Sequence, residues 1–125
     1  MKDDVRVVSM QSLEGRRKAE HGDYEYVKYL VTPHDGEGQC CLAVYEIPPG
    51  KASYPYHHHA GNTEAFFVLS GRGLLRTPSG EREVRAGDFI LCPPGPGGAH
   101  KLVNPSPEET LRYIDFDTTV KPDIV

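Results

Sequence analysis

The chain has 125 residues, of which 38% are hydrophobic and 26% charged, with a formal net charge of -4. That length suits one domain with a core large enough to hold without disulfide staples. The charge pattern excludes a polybasic surface for nucleic acid or membrane, because the most basic run, Arg16-Arg17-Lys18, is flanked by Glu14 and Glu20.

No apolar run reaches the roughly 18 residues that a membrane helix needs. The opening MKDDVRVVS lacks the apolar centre of a signal peptide, so a cytoplasmic protein is expected. Cys40, Cys41 and Cys92 are an odd number without CxxC spacing, which predicts reduced thiols used for packing.

Eleven prolines and thirteen glycines punctuate short β-branched and aromatic runs, the pattern of an all-β domain. In chain order, strands are predicted at Val5–Ser9, Tyr24–Val31, Gln39–Ile47, Ala52–Tyr56 and Ala65–Leu69. They continue at Gly73–Thr77, Arg82–Arg85, Asp88–Cys92, Ala99–Val103 and Leu111–Phe116. Turn signals fall between them at 34–38, 48–50, 71–73, 78–80, 86–88, 93–98 and 104–109. Ser12–Glu20 holds only a weak helical pattern, against which Gly15 and poor periodicity argue. The expected division is a single domain over 1–125, with N-terminal strands in 1–35, a barrel core in 36–118 and a tail in 119–125. The aromatic strand around Tyr24, Tyr26 and Tyr29 reads as core packing. The N-terminal segment is expected to pair with a second chain in a homodimer, since open sheet edges must be paired or covered.

Two stretches carry chemistry: PYHHHAGNTEAFFVLSG at 55–71 and GDFILCPPGPGGAHKLVN at 87–104. Residues two apart on a strand share a face, so His57 and His59 can project together while His58 faces away. Glu64 follows the turn-rich AGNT, and His100 follows the rigid PPGPGG loop. His57, His59, Glu64 and His100 would make a mixed nitrogen and oxygen metal site, suited to a divalent transition ion such as Fe, Mn, Ni or Zn. On an ion able to be octahedral they leave two positions for water, oxygen or a substrate. By parity the pocket would be lined by Ser53, Phe66, Val68 and Leu102, with Tyr54 and Tyr56 turned away. Gly71, Gly87 and Gly95 read as turn formers with positive φ, Asn104 as a turn brace, and His21 and His34 as loop residues. Arg76, Arg85 and Arg112 are expected to pair with Glu81, Glu83 or Asp115.

The first stretch resembles cupin motif 1, G-x5-HxH-x3,4-E-x6-G, through Gly50, His57, His59, Glu64 and Gly71; its Gly50 to His57 interval is one residue longer than the pattern. The second resembles cupin motif 2, G-x5-PxG-x2-H-x3-N, through Gly87, Pro93, Gly95, His100 and Asn104, with two extra residues before His100. PYHHH, CPPGPGGAH and LRY are similar to small single-domain bacterial cupins. The resemblance implies a double-stranded β-helix, or jelly-roll barrel, that dimerises through its N-terminal strands. It implies metal held by His57, His59, Glu64 and His100, and a small polar ligand or substrate. Oxygenase chemistry is preferred over isomerase, epimerase or decarboxylase chemistry. A binding or sensing protein without turnover is the alternative, because fold does not decide function.

Overall fold

The computed structural model describes residues 4–33, 38–119 and 125. His34, most of the turn expected at 34–38, and residues 120–124 of the expected tail lie outside the described residues. Nine strands follow in chain order among the described residues: β1 Arg16–His21, β2 Tyr24–Leu30, β3 Cys40–Ile47, β4 Glu64–Ser70 and β5 Arg72–Thr77. After them come β6 Gly80–Arg85, β7 Phe89–Cys92, β8 Lys101–Val103 and β9 Leu111–Thr118. The strand-to-strand ladders among the described residues are all antiparallel, in a six-stranded sheet ordered β1-β2-β3-β9-β4-β7 and a three-stranded sheet ordered β6-β5-β8.

This is the all-β architecture that the strand rhythm predicts, and the double-stranded β-helix that the resemblance to cupins implies. Alternation dictates the core: in β4, Glu64, Phe66 and Val68 are buried while their neighbours are half-buried. In β9, Leu111, Tyr113 and Asp115 take the inward positions. The cluster of Tyr45, Ile47, Phe66, Val68, Leu111 and Tyr113 from the large sheet packs with Leu75, Val84 and Leu102 from the small one. Tyr45 stacks on Tyr113 with ring centroids 5.4 Å apart, and Phe66 meets Tyr113 edge-on at 5.3 Å.

Three expectations are corrected. Arg16–His21 is a strand, although none of its six residues is buried, so it carries no apolar alternation that a sequence reading could detect. It forms a hairpin with β2 through His21 and Tyr24. Val5–Ser9 is not a strand; Val5 and Val7 are each 96% exposed, and a short 3₁₀ turn follows at Met10–Ser12. Ala52–Tyr56 is also irregular, touching its neighbours only through bridges from Ala52 to Tyr24 and Val103. Pro55 explains part of this, since it cannot donate to a ladder.

Asn104 braces the base of the barrel as expected. Its side-chain amide donates to the carbonyls of Ile47 at 2.9 Å and Glu109 at 2.7 Å, while its Oδ1 accepts from Ser106 N at 3.0 Å. Gly71 has φ of 80°, and a Cβ there would sit 2.5 Å from the Thr110 carbonyl oxygen. Glycine is required at that turn on both counts.

Candidate metal centre

The two motif stretches are tied together by backbone. His57 N donates to His100 O at 3.1 Å, and His100 N returns the bond to His57 O at 2.9 Å. The loop before His100 absorbs its two extra residues in a 3₁₀ turn, Pro96–Gly98, so the histidine still reaches the site. That turn is tight enough that a Cβ on Gly98 would sit 1.8 Å from the Pro93 carbonyl oxygen. The same loop holds the facing segment: Gly95, at φ 93°, donates its N–H to His59 O at 2.7 Å.

Within this frame the side chains converge. Ligand atoms of His57, His59 and Glu64 lie within 4.8 Å of one another. Glu64 Oε1 is 2.8 Å from His100 Nε2 and 3.5 Å from His59 Nε2. The imidazole rings of His57 and His100 are 4.8 Å apart, and those of His57 and His59 are 5.2 Å apart. His57 Nδ1 faces the Pro55 carbonyl at 2.8 Å, and His100 Nδ1 faces the Gly98 carbonyl at 2.9 Å. A carbonyl can only accept, so each Nδ1 carries the hydrogen and each Nε2 presents a lone pair when the ring is neutral.

These residues fit a cation. Glu64 Oε1 and His100 Nε2 are both buried, in contact, and yet make no aligned hydrogen bond. Buried polar atoms without a hydrogen bond are costly, and a shared ion would satisfy both at once. The donor set of imidazole nitrogens and carboxylate oxygen matches borderline transition metals.

The electrostatics of the metal-free cluster follow from burial opposed by contact. Burial alone would raise Glu64, but the neighbouring His100 and Asp115 overcome it and hold the carboxyl at about 2. Burial would lower His100, yet Cys92, Glu64 and the Gly98 carbonyl push it up to about 10. Desolvation and the charge of Glu64 raise Asp115 well above the usual carboxylate range, and the same two causes bring Asp117 to about 7.

The cluster opens onto a cleft of about 610 Å³ lined by Lys28, Tyr45, Tyr54, His57, His59, Asn62, Glu64, Asp115 and Asp117, with further residues at its rim. Behind it lies a void of only about 10 Å³, bounded by Ser53, Phe66, His100, Leu102 and Tyr113 among others. Ser53, Phe66 and Leu102 therefore back the cluster rather than shape the large cleft, and Val68, fully buried, lines neither.

Residues 43–117 match the cupin domain family. The chain belongs to the cupin family. This cupin is 31% identical over 83 residues to an uncharacterised protein of Methanocaldococcus jannaschii, covering 66% of this chain and 64% of the relative. The match thus spans just under two thirds of that relative's length. Among solved structures, it superposes on a provisionally assigned sugar phosphate isomerase of Acidithiobacillus ferrooxidans with TM-score 0.77 and 27% identity. That alignment covers 94% of this chain and 77% of the other. The polyketide cyclase RemF of Streptomyces resistomycificus aligns with TM-score 0.77 and 23% identity over 95% and 82% of the two chains, a likeness of fold alone.

Several residues depart from the sequence reading. Tyr54 lines the cleft of the cupin, its ring 6.1 Å from that of His57, because the bend through Pro55 breaks the strand parity that would have turned it away. Its hydroxyl joins those of Tyr45 at 2.9 Å and Tyr26 at 3.1 Å. Tyr56, 40% exposed, carries Arg76 over its ring at 5.1 Å. Arg112 pairs with Glu46 at 3.2 Å, and Arg85 pairs with Glu83 at 2.9 Å. Asp115 thus faces inward instead of pairing with a surface arginine. Asp115, Asp117 and Lys28 are cleft residues that the motif reading missed. A signal existed for two of them: Leu111 and Tyr113 set an inward parity on β9, and counting on by twos reaches both aspartates. His58 lines neither cavity, Cys92 is buried in the core, and His21 ends β1 on the surface.

Among the described residues, no helix is long and apolar enough to cross a membrane.

Proposed function

We propose that this cupin is a metal-dependent enzyme acting on a small, polar, oxygen-bearing molecule. The observation that carries the reading is the placement of His57, His59 and Glu64 at one wall of the 610 Å³ cleft. His57, His59, Glu64 and His100 would hold the ion. A divalent transition metal held by them would supply activation of oxygen or polarisation of a carbonyl or enolate oxygen. The protein's own groups bind and orient the substrate. Tyr54, buttressed by Tyr45 and Tyr26, offers a hydroxyl beside His57, and Asn62 and Lys28 supply further polar groups. Lys28 is the one lysine or arginine among the described cleft residues, and its charge acts on Asp117. That balance favours a neutral or singly charged molecule over a phosphate ester.

Oxygenase chemistry is the first reading, because three imidazoles and one carboxylate leave coordination sites open on an octahedral ion. Isomerisation is the second, favoured by the 27% identity to the provisionally assigned sugar phosphate isomerase. Metal analysis of protein made without a polyhistidine tag tests the foundation. Oxygen uptake and solvent deuterium incorporation, over a panel of phenols, keto acids and hydroxy ketones, then separate the two chemistries. Thermal stabilisation by one compound with no turnover of any would overturn the enzyme reading in favour of a binding protein.

We further infer a homodimer in which the N-terminal segment reaches a second chain. Among the described residues β1 has one unpaired edge at the end of the large sheet, and the exposed Val5 and Val7 precede it. Light scattering on the full chain and on a variant with Val5→Lys and Val7→Lys checks this; an unchanged mass would remove the assignment.

A further inference from the structure

β4 and β9 run antiparallel with Glu64 opposite Asp117 and Phe66 opposite Asp115. Side chains paired across two strands on one face lie about 5 Å apart, and like charges placed so destabilise a sheet. Here a third carboxylate joins them: one oxygen from each of Glu64, Asp115 and Asp117 lies within 4.8 Å of the other two. These are inward positions, continuing the face that Leu111 and Tyr113 use for the core. The arrangement therefore gathers three carboxyl groups where burial makes their ionised forms most costly.

A second observation separates this cluster from a solvated acidic patch. Asp115 is only 5% exposed, and its Oδ1 is buried without a hydrogen-bond partner. The side chain borders both the large cleft and the small void behind it, and one of its oxygens lies within 4.8 Å of oxygens of Glu64 and Asp117.

From this geometry we infer that Glu64, Asp115 and Asp117 form a second cation site, beside the histidine cluster, for a hard divalent ion such as Mn²⁺ or Mg²⁺. Carboxylate oxygens alone select hard cations, whereas the imidazole-rich side of Glu64 suits borderline metals. Glu64 is the shared residue. Its Oε1 is turned to His100 and His59, and its carboxylate also contacts both aspartates. The two sites would thus be bridged by one carboxylate, with the cleft giving access to both. Lys28, in the same cleft, offsets only part of the charge of three carboxylates. Sharing of protons among the acids is the competing account.

The inference rests on the proposed metal centre only through the shared Glu64, and stoichiometry distinguishes the two. Metal-stripped, untagged protein is titrated with Mn²⁺ by calorimetry, and bound Mn²⁺ is followed by electron paramagnetic resonance. The wild-type chain is expected to take two equivalents with a spin-coupled signal. Asp115→Asn and Asp117→Asn, which keep side-chain shape, should each take one equivalent and lose the coupling. Circular dichroism and thermal denaturation of the metal-free variants verify that they remain folded. One uncoupled equivalent in the wild type, unchanged in both variants, overturns the second site and leaves the histidine centre standing. Two equivalents in the wild type and in both variants overturn the assignment to these aspartates. No binding at all overturns both centres.

Discussion

His57 and His100 exchange a pair of backbone hydrogen bonds, at 3.1 and 2.9 Å, while their rings stand 4.8 Å apart above Glu64. The bond pair survives removal of either imidazole, so side-chain truncation tests the site without opening the frame. His57→Ala and His100→Ala should each abolish metal binding at the histidine centre, leaving at most the one equivalent assigned to the carboxylates. Their stabilities should differ. His100 is buried against Glu64, and its removal leaves a buried carboxylate without its partner, a loss of about 3–5 kcal/mol. His57 is only half-buried, so its truncation should cost about 1 kcal/mol or less. Urea unfolding of the metal-free proteins checks the contrast.

Stability of the metal-free protein should fall as pH rises from about 5 to about 8. Asp117 is raised from 3.8 to about 7, so its contribution is complete below 3.8 and is lost as pH rises through about 7. Asp115 acts in the same direction. His100, raised to about 10, contributes fully below 6.5 and loses that contribution as pH climbs through about 10. Glu64, lowered from 4.5 to about 2, opposes them only in acid, where its contribution disappears as pH falls through about 2. Thermal melts across this range should show the decline, and Asp117→Asn should flatten its lower half. An unchanged slope in that variant would assign the effect elsewhere.

Asn104→Ala should destabilise the chain by about 2–4 kcal/mol with metal content unaffected. The asparagine is fully buried and joins three backbone groups, and orphaning buried partners costs about 1–3 kcal/mol each before relaxation. Asn104→Asp should cost at least as much as Asn104→Ala, because it sets a buried carboxylate oxygen against the Ile47 and Glu109 carbonyls to which it can no longer donate. Denaturant midpoints at constant m-value measure this.

Tyr54→Phe keeps the ring against His57 and removes the hydroxyl joined to Tyr45 and Tyr26. Metal binding should be unchanged and stability should fall by about 1 kcal/mol. Once a substrate is in hand, its affinity should weaken by roughly tenfold, about the worth of one hydrogen bond. Unaltered affinity would take Tyr54 out of the recognition surface.

The sequence was most legible where burial and strand period coincide. β3, β4 and β9 alternate or run apolar over their length, and each lies within two residues of its predicted bounds. The convergence of His57, His59, Glu64 and His100 could be anticipated because two of them lie two apart and the intervening turns are short. β1 was hidden because a strand with no buried residue has polar chemistry on both faces. Val5 and Val7 misled for the opposite reason, since their alternation packs against nothing among the described residues. Tyr54 was misplaced by assuming strand parity across a proline bend. Asp115 and Asp117 were overlooked because a carboxylate is normally read as surface, although the parity of Leu111 and Tyr113 pointed both inward.

Two of the ligand candidates, His57 and His59, hang on a segment that is not a strand. Residues 50–59 are held by scattered backbone bonds: Gly50 and Lys51 to Asn104, Ala52 to Asp23 and Glu25, His57 to His100, and His59 to Gly95. Each of these can break while both sheets keep their ladders, so the segment can swing outward at less cost than global unfolding. Metal exchange would then follow the rate of that partial opening, and apoprotein could reload without refolding. Hydrogen exchange at His57 and His100 N–H, compared with β3 and β9, would time the same event.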